Sequence, residues 1–133
     1  MRVYRRAGFL KLPEGTLFAK GKPWYWGELS VKGETWTNDF LALGLQWIEA
    51  DSSGDASEML DRMLEEDISA PLQTSGGRDG CFDDADLFLV YELDDLRKLA
   101  FHVDAAIGVA KDLEYLATDV LAGIGEANVP PQE

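Results

Sequence analysis

Residues 86–121 read DLFLVYELDDLRKLAFHVDAAIGVAKDLEYLATDVL, and this stretch decides the fold class. Its first seven residues, Asp86 to Glu92, form a short apolar run rich in Leu, Phe, Val and Tyr, as expected of a central strand. Asp94 then suits an N-cap, with acids in the first turn and Arg97-Lys98 following. Leu96, Leu99, Val103, Ala106, Ile107, Ala110, Leu113, Leu116, Ala117 and Val120 recur with helical period. The spacing predicts a helix from about Asp95 to Leu121, about 40 Å long at 1.5 Å per residue, with Gly108 marking where a break would fall. Ala105, Ala106, Gly108 and Ala110 would let this helix pack closely on a sheet or on a partner helix.

Upstream, residues 2–12 read as a short strand or a turn of helix, ended by Pro13-Glu14-Gly15. Thr16 to Lys20 is a strand candidate. Trp24 to Val31 alternates with period two, placing Trp24, Trp26 and Glu28 on one face and Tyr25, Leu29 and Val31 on the other. Lys32-Gly33 is read as a hairpin corner, with Glu34 to Thr37 returning, and Phe40 to Ala50 as the strongest internal strand. Asp55 is the expected N-cap of a short helix ending near Asp67, with Glu58 at its capping-box position. Residues 68–85, ISAPLQTSGGRDGCFDDA, read as a long connector in which Gly76-Gly77 is a flexible turn.

The predicted architecture is α+β: a small, mostly antiparallel sheet of four to five strands packed against the long C-terminal helix, with one shorter helix. Residues 1–121 form one compact domain, and 122–133 form a flexible tail containing two Pro and two Gly. No internal repeat or heptad stands out.

The 133 residues suit a single domain, and an apolar content of 46% argues against wholesale disorder. A single Cys excludes an internal disulfide, and one Cys with one His excludes a Cys/His-rich metal centre. The N-terminal MRVYRRAGFLKLPEG lacks the sustained apolar run of a signal peptide, and no stretch approaches 18 apolar residues. The expectation is a soluble cytoplasmic protein with no membrane association and no cofactor.

The net charge of -13 is unevenly placed. Residues 1–33 hold seven bases and two acids, whereas residues 34–133 hold 23 acids and five bases. A basic N-terminal layer can neutralise the acidic remainder within one fold, or an acidic face can stay free for a basic partner. The acidic balance argues against direct nucleic-acid binding.

The densest set of reactive residue types is Arg78-Asp79-Gly80-Cys81-Phe82-Asp83-Asp84-Ala85-Asp86. Carboxylates at short loop spacing hold divalent cations or divide acid and base roles, which makes Asp79, Asp83 and Asp84 the metal candidates and adds them to the catalytic ones. In an acidic chain, composition alone also produces such clusters. Cys81 and His102 complete the catalytic candidates as a nucleophile and base, although no third orienting residue is evident. Asp51 to Asp55 is not a calcium hand, because Arg62 stands where a bidentate Glu is needed. Trp24, Trp26 and Glu28 are the interface candidates, since paired indoles make rigid anchors. Walker, dinucleotide, CxxC, HExxH and GxSxG motifs are absent.

These features favour a non-enzymatic protein-protein interaction or regulatory module whose partner is another protein, basic or otherwise, or a second copy in a homodimer. The alternatives are a small hydrolase or transferase using the Asp79–Asp86 loop, with or without a divalent cation, and an acidic inhibitor that mimics nucleic acid.

Overall fold

The computed structural model describes residues 1–80 and 83–123, those from 115 onward by backbone alone. The elements run β1 (Arg2–Arg5), α1 (Arg6–Phe9), β2 (Leu17–Lys22), β3 (Tyr25–Trp36), β4 (Asp39–Gly44), α2 (Ser53–Glu66), β5 (Gly77–Arg78), β6 (Leu87–Val90) and α3 (Leu93–Gly123). The fold is mixed α+β, with a six-stranded sheet in the order β1-β6-β2-β3-β4-β5 in which every neighbouring pair is antiparallel. Six strands replace the four to five expected, because the connector contributes β5. Residues 1–92 form one compact unit and the described residues from Leu93 onward a second.

The core of the first unit is a box of four phenylalanines. Phe18, Phe40 and Phe88 rise from β2, β4 and β6, and Phe9 closes them from the short helix α1. Phe9 stacks on Phe88 with centroids 4.2 Å apart and meets Phe18 and Phe40 at 4.7 and 5.1 Å. Tilted and edge-on rings suit the aromatic quadrupole while burying large apolar areas.

Two register shifts in β3 overturn the simple alternation. At the first, Ala19 pairs with Leu29 but Gly21 pairs with Trp26, so two residues of β3 stand opposite Lys20. Directly opposed residues share a face, so Trp26 joins the face of Leu29 and Val31 instead of that of Glu28. At the second, Lys32 pairs with Ala42 and Thr35 with Phe40, which brings Lys32 and Thr35 to one face. The Lys32 ammonium, in a side chain only 1% exposed, donates to Thr35 Oγ1 at 2.5 Å, and Thr35 donates to the Leu10 carbonyl. Burial lowers the Lys32 pKa from its ordinary value, and the Glu14 charge offsets part of this. The strand therefore runs through Lys32-Gly33, where a hairpin corner was expected. The corner lies at Thr37-Asn38, with Thr37 at φ 53°.

Phe40–Ala50 is likewise not one strand. β4 ends at Gly44, where the Gln46 side-chain carbonyl takes over as acceptor for the Leu29 N–H at 2.5 Å. The connector is ordered against this region: Glu49 N–H donates to Pro71 O, Gln73 N–H to Trp47 O, and Ile48 pairs with Leu72. Gly76 is no flexible turn, since a Cβ there would overlap the Ala42 carbonyl.

Helix α2 is capped by Ser52, whose Oγ accepts from Asp55 N–H at 3.1 Å, so Asp55 lies in the first turn instead of at the cap. Its C-terminus closes with Asp67 in the left-handed region. Helix α3 begins at Leu93, which puts Asp94 inside the first turn, and it passes Gly108 unbroken. Residues 124–133, most of the expected tail, lie outside the described residues. No helix among the described residues is long and apolar enough to cross a membrane.

Candidate functional site

Lys20 and Lys22, two residues apart on β2, project from the same face of the sheet. Lys20 Nζ lies 2.9 Å from Asp79 Oδ1 and 3.2 Å from Asp86 Oδ2. Lys22 Nζ lies 2.5 Å from Asp83 Oδ2 and 2.9 Å from Asp86 Oδ1. From α1, Arg6 forks both terminal nitrogens onto Asp79 Oδ2 at 3.2 Å and donates through Nε to the Asn38 carbonyl. Arg78 Nε donates to Asp39 Oδ2 at 2.9 Å, while Phe40 and Gly80 N–H groups donate to Asp39 Oδ1. Asp83 also accepts from Ala85 N–H, closing a local turn before β6.

Four cations thus face four carboxylates. Arg6, Lys20 and Lys22 come from the basic N-terminal segment, and Asp79, Asp83 and Asp86 from the acidic remainder, so part of the charge asymmetry of the sequence is met within the fold. The pairs also fix pKa directions. Burial would raise the Asp39 and Asp86 carboxyls, but the Gly80 and Phe40 N–H groups with Arg78, and Lys22 with Lys20, outweigh it and hold both below the usual carboxylate range. The Lys22 bond lowers Asp83 in the same way. Burial pulls Lys20 down, yet Asp79 and Asp86 leave it above its ordinary value; Lys22 is raised chiefly by Asp83 and then Asp86.

Beside this network the sheet bears an open cavity of about 370 Å³, lined among others by Phe18, Lys20, Glu28, Ser30, Gln73 and Arg78. The Glu28 carboxylate and the Gln73 amide converge over Gly44, where any Cβ would collide with them. Gln73 Nε2 donates to Gly44 O at 2.6 Å.

The sequence candidates divide accordingly. Asp79 and Asp83 enter the network, whereas Asp84 is exposed and takes no part in the ion pairs. Cys81 lies outside the described residues. His102 is exposed on α3, edge-on to Phe101 at 5.4 Å. Trp24 stands 82% exposed in the turn between β2 and β3, Trp26 is half-buried, and Glu28 lines the cavity. Sequence reasoning missed the carboxylate Asp39 and the cations that neutralise the loop acids, Arg6, Lys20 and Lys22. The available signal was a pair of lysines at i and i+2 in an otherwise apolar strand, which need counterions once the strand is interior.

Chemically, carboxylates held ionised by lysines make poor general acids, and a divalent cation would have to displace ammonium groups already bonded to its ligands. Among the described residues, no group of three His, Cys, Asp or Glu is placed to hold a metal ion. No family model, no curated protein and no solved structure matches this chain.

Proposed function

We propose that the protein is a non-enzymatic binding module acting on another protein in the cytoplasm. The observation that carries this reading is the contrast between its two conspicuous regions. The carboxylates at Asp79, Asp83 and Asp86 are engaged by lysine and arginine. Aromatic surface at the β2–β3 tip is not engaged: Trp24 is 82% and its neighbour Tyr25 61% exposed. A rigid indole beside a phenol supplies contact area at low entropy cost, the pattern of an interface anchor. The ion pairs weigh against the acidic loop as a hydrolytic or transferase centre. With a net charge of -13, long-range attraction favours a partner with a basic face.

The test is capture on the immobilised full chain, with wild type and Trp24→Ala compared at low and high salt. The reading expects a basic protein retained by the wild type, released by salt, and held at least about tenfold more weakly by Trp24→Ala. Equal retention by Trp24→Ala, or a retained partner with no basic surface, would overturn it.

A further inference from the structure

We infer that the sheet cavity over Gly44 binds a primary ammonium group carried on a short apolar stem, held by Glu28, Ser30 and Gln73. This stands apart from the Trp24 surface. The described residues that line the cavity all belong to residues 1–92, and its volume of about 370 Å³ falls within the range of small-molecule sites. Phe18 and Ala42 give it apolar surface.

Three side chains bring hydrogen-bond acceptors to this space. Ser30 pairs with Phe18 on one side and with Gly44 on the other, so it shares their face of the sheet. It is only 9% exposed, yet its hydroxyl bonds to no described residue. A hydroxyl so buried is ordinarily paired. Among the described residues no side-chain nitrogen or oxygen sealed from solvent lacks a partner, so Ser30 Oγ keeps its opening to the cavity that it lines. Gln73 donates through Nε2 to Gly44 O at 2.6 Å, which orients the amide and leaves Oε1 an acceptor with no donor among the described residues. The Glu28 carboxylate converges with that amide on the point where a Gly44 Cβ would stand, and it takes no ion pair or hydrogen bond from any described residue. Glycine at position 44 keeps the space open.

Charge selects the ligand. Arg6, Lys20, Lys22 and Arg78 are matched by Asp39, Asp79, Asp83 and Asp86, so Lys20 and Arg78, which also line the cavity, already have their counterions. Glu28 lies outside that balance and leaves the cavity one negative charge in excess. A carboxylate, an amide oxygen and a hydroxyl complement the three N–H donors of an ammonium, while an alkyl stem can lie on Phe18 and Ala42. An anion would meet the same acceptors unfavourably. One carboxylate is too few for a divalent cation, and among the described residues no group of three His, Cys, Asp or Glu is placed to hold one. A free alkylamine and a lysine side chain of a partner protein share this chemistry, and the test separates them.

Nitrogen–proton correlation spectra of the isotope-labelled full chain at pH 7, titrated with n-pentylammonium chloride, test this. The Ser30 and Gly44 amides and the Gln73 side-chain amide should shift saturably, with a Kd of about 1 mM. Glu28→Gln should weaken binding at least about tenfold. Gly44→Ala, whose methyl group displaces flexible side-chain ends and no backbone, should weaken it by a similar factor. Unmoved resonances of Phe9, Phe40 and Phe88 show that the aromatic box of each variant is folded. n-Pentanoate and n-pentanol should give no saturable shift up to about 20 mM. With Nα-acetyl-lysine N-methylamide as a second probe, binding at least as tight as that of n-pentylammonium assigns the site to a partner's lysine side chain, and weaker binding assigns it to a free amine. No saturable shift with either amine, binding undiminished by Glu28→Gln, or n-pentanol or n-pentanoate bound as tightly as the amine would overturn the inference.

Discussion

Replacing Phe9 by Ala should remove the lid of the aromatic box and with it much of the stability of residues 1–92. Phe9 is fully buried and touches all three other rings, the closest stacked at 4.2 Å. Losing a buried phenyl ring costs about 1.5–3 kcal/mol in transfer free energy. The cavity adds to this, because Phe18, Phe40 and Phe88 are anchored in three strands and cannot collapse onto the space that Phe9 leaves from its four-residue helix. Together these place the change at about 4 kcal/mol, against a total of about 5–15 kcal/mol for a domain of this size. Urea unfolding followed by tryptophan fluorescence should show the midpoint falling by about 2 M, for a slope of about 2 kcal/mol per M. Leu64→Ala, at a position 85% exposed, should shift stability by less than about 0.5 kcal/mol. A Phe9→Ala midpoint within about 0.5 M of wild type would refute the aromatic box as the core of the fold.

Two further outcomes are expected. Gly76→Ala should drive a methyl group into the Ala42 carbonyl, displace β5 and destabilise by about 1–3 kcal/mol; faster hydrogen exchange at the Asp79 amide, which donates to Phe40 O, would report the displacement. Asp39, Asp83 and Asp86 titrate below their unfolded values, so their contribution is complete above about pH 5 and drains away as the pH falls through their folded pKa values. Lys20 and Lys22 titrate above theirs, so their contribution persists below about pH 10 and is lost as the pH rises past their folded values. Asp86→Asn should therefore flatten the acid limb of a urea-midpoint-against-pH curve, and an unchanged limb would remove Asp86 from the network.

The α+β class, the interior strand Leu87–Val90 and the long α3 were legible because each rests on local periodicity that tertiary context did not disturb. The hairpin corner and the face of Trp26 were not legible. Both depend on bulges in β3, where one unpaired residue reverses every later side chain and leaves no mark in the hydrophobic pattern. The Asp79–Asp86 loop was legible as a cluster of acids. Its character was not, because the neutralising Arg6, Lys20 and Lys22 stand more than fifty residues away in sequence. Gly76 looked like a loose joint for a similar reason: its tight approach to β4 exists only once the connector folds back.

The most direct test of the charge-locked loop is calorimetric titration of the full chain with Mg²⁺ and Ca²⁺ at pH 7. The carboxylates are engaged by Lys20, Lys22 and Arg6, so no saturable one-site binding is predicted up to about 10 mM. One-site binding with a Kd below about 1 mM, abolished by Asp79→Asn or Asp83→Asn, would contradict the account and return the loop to the chemistry of a cation site.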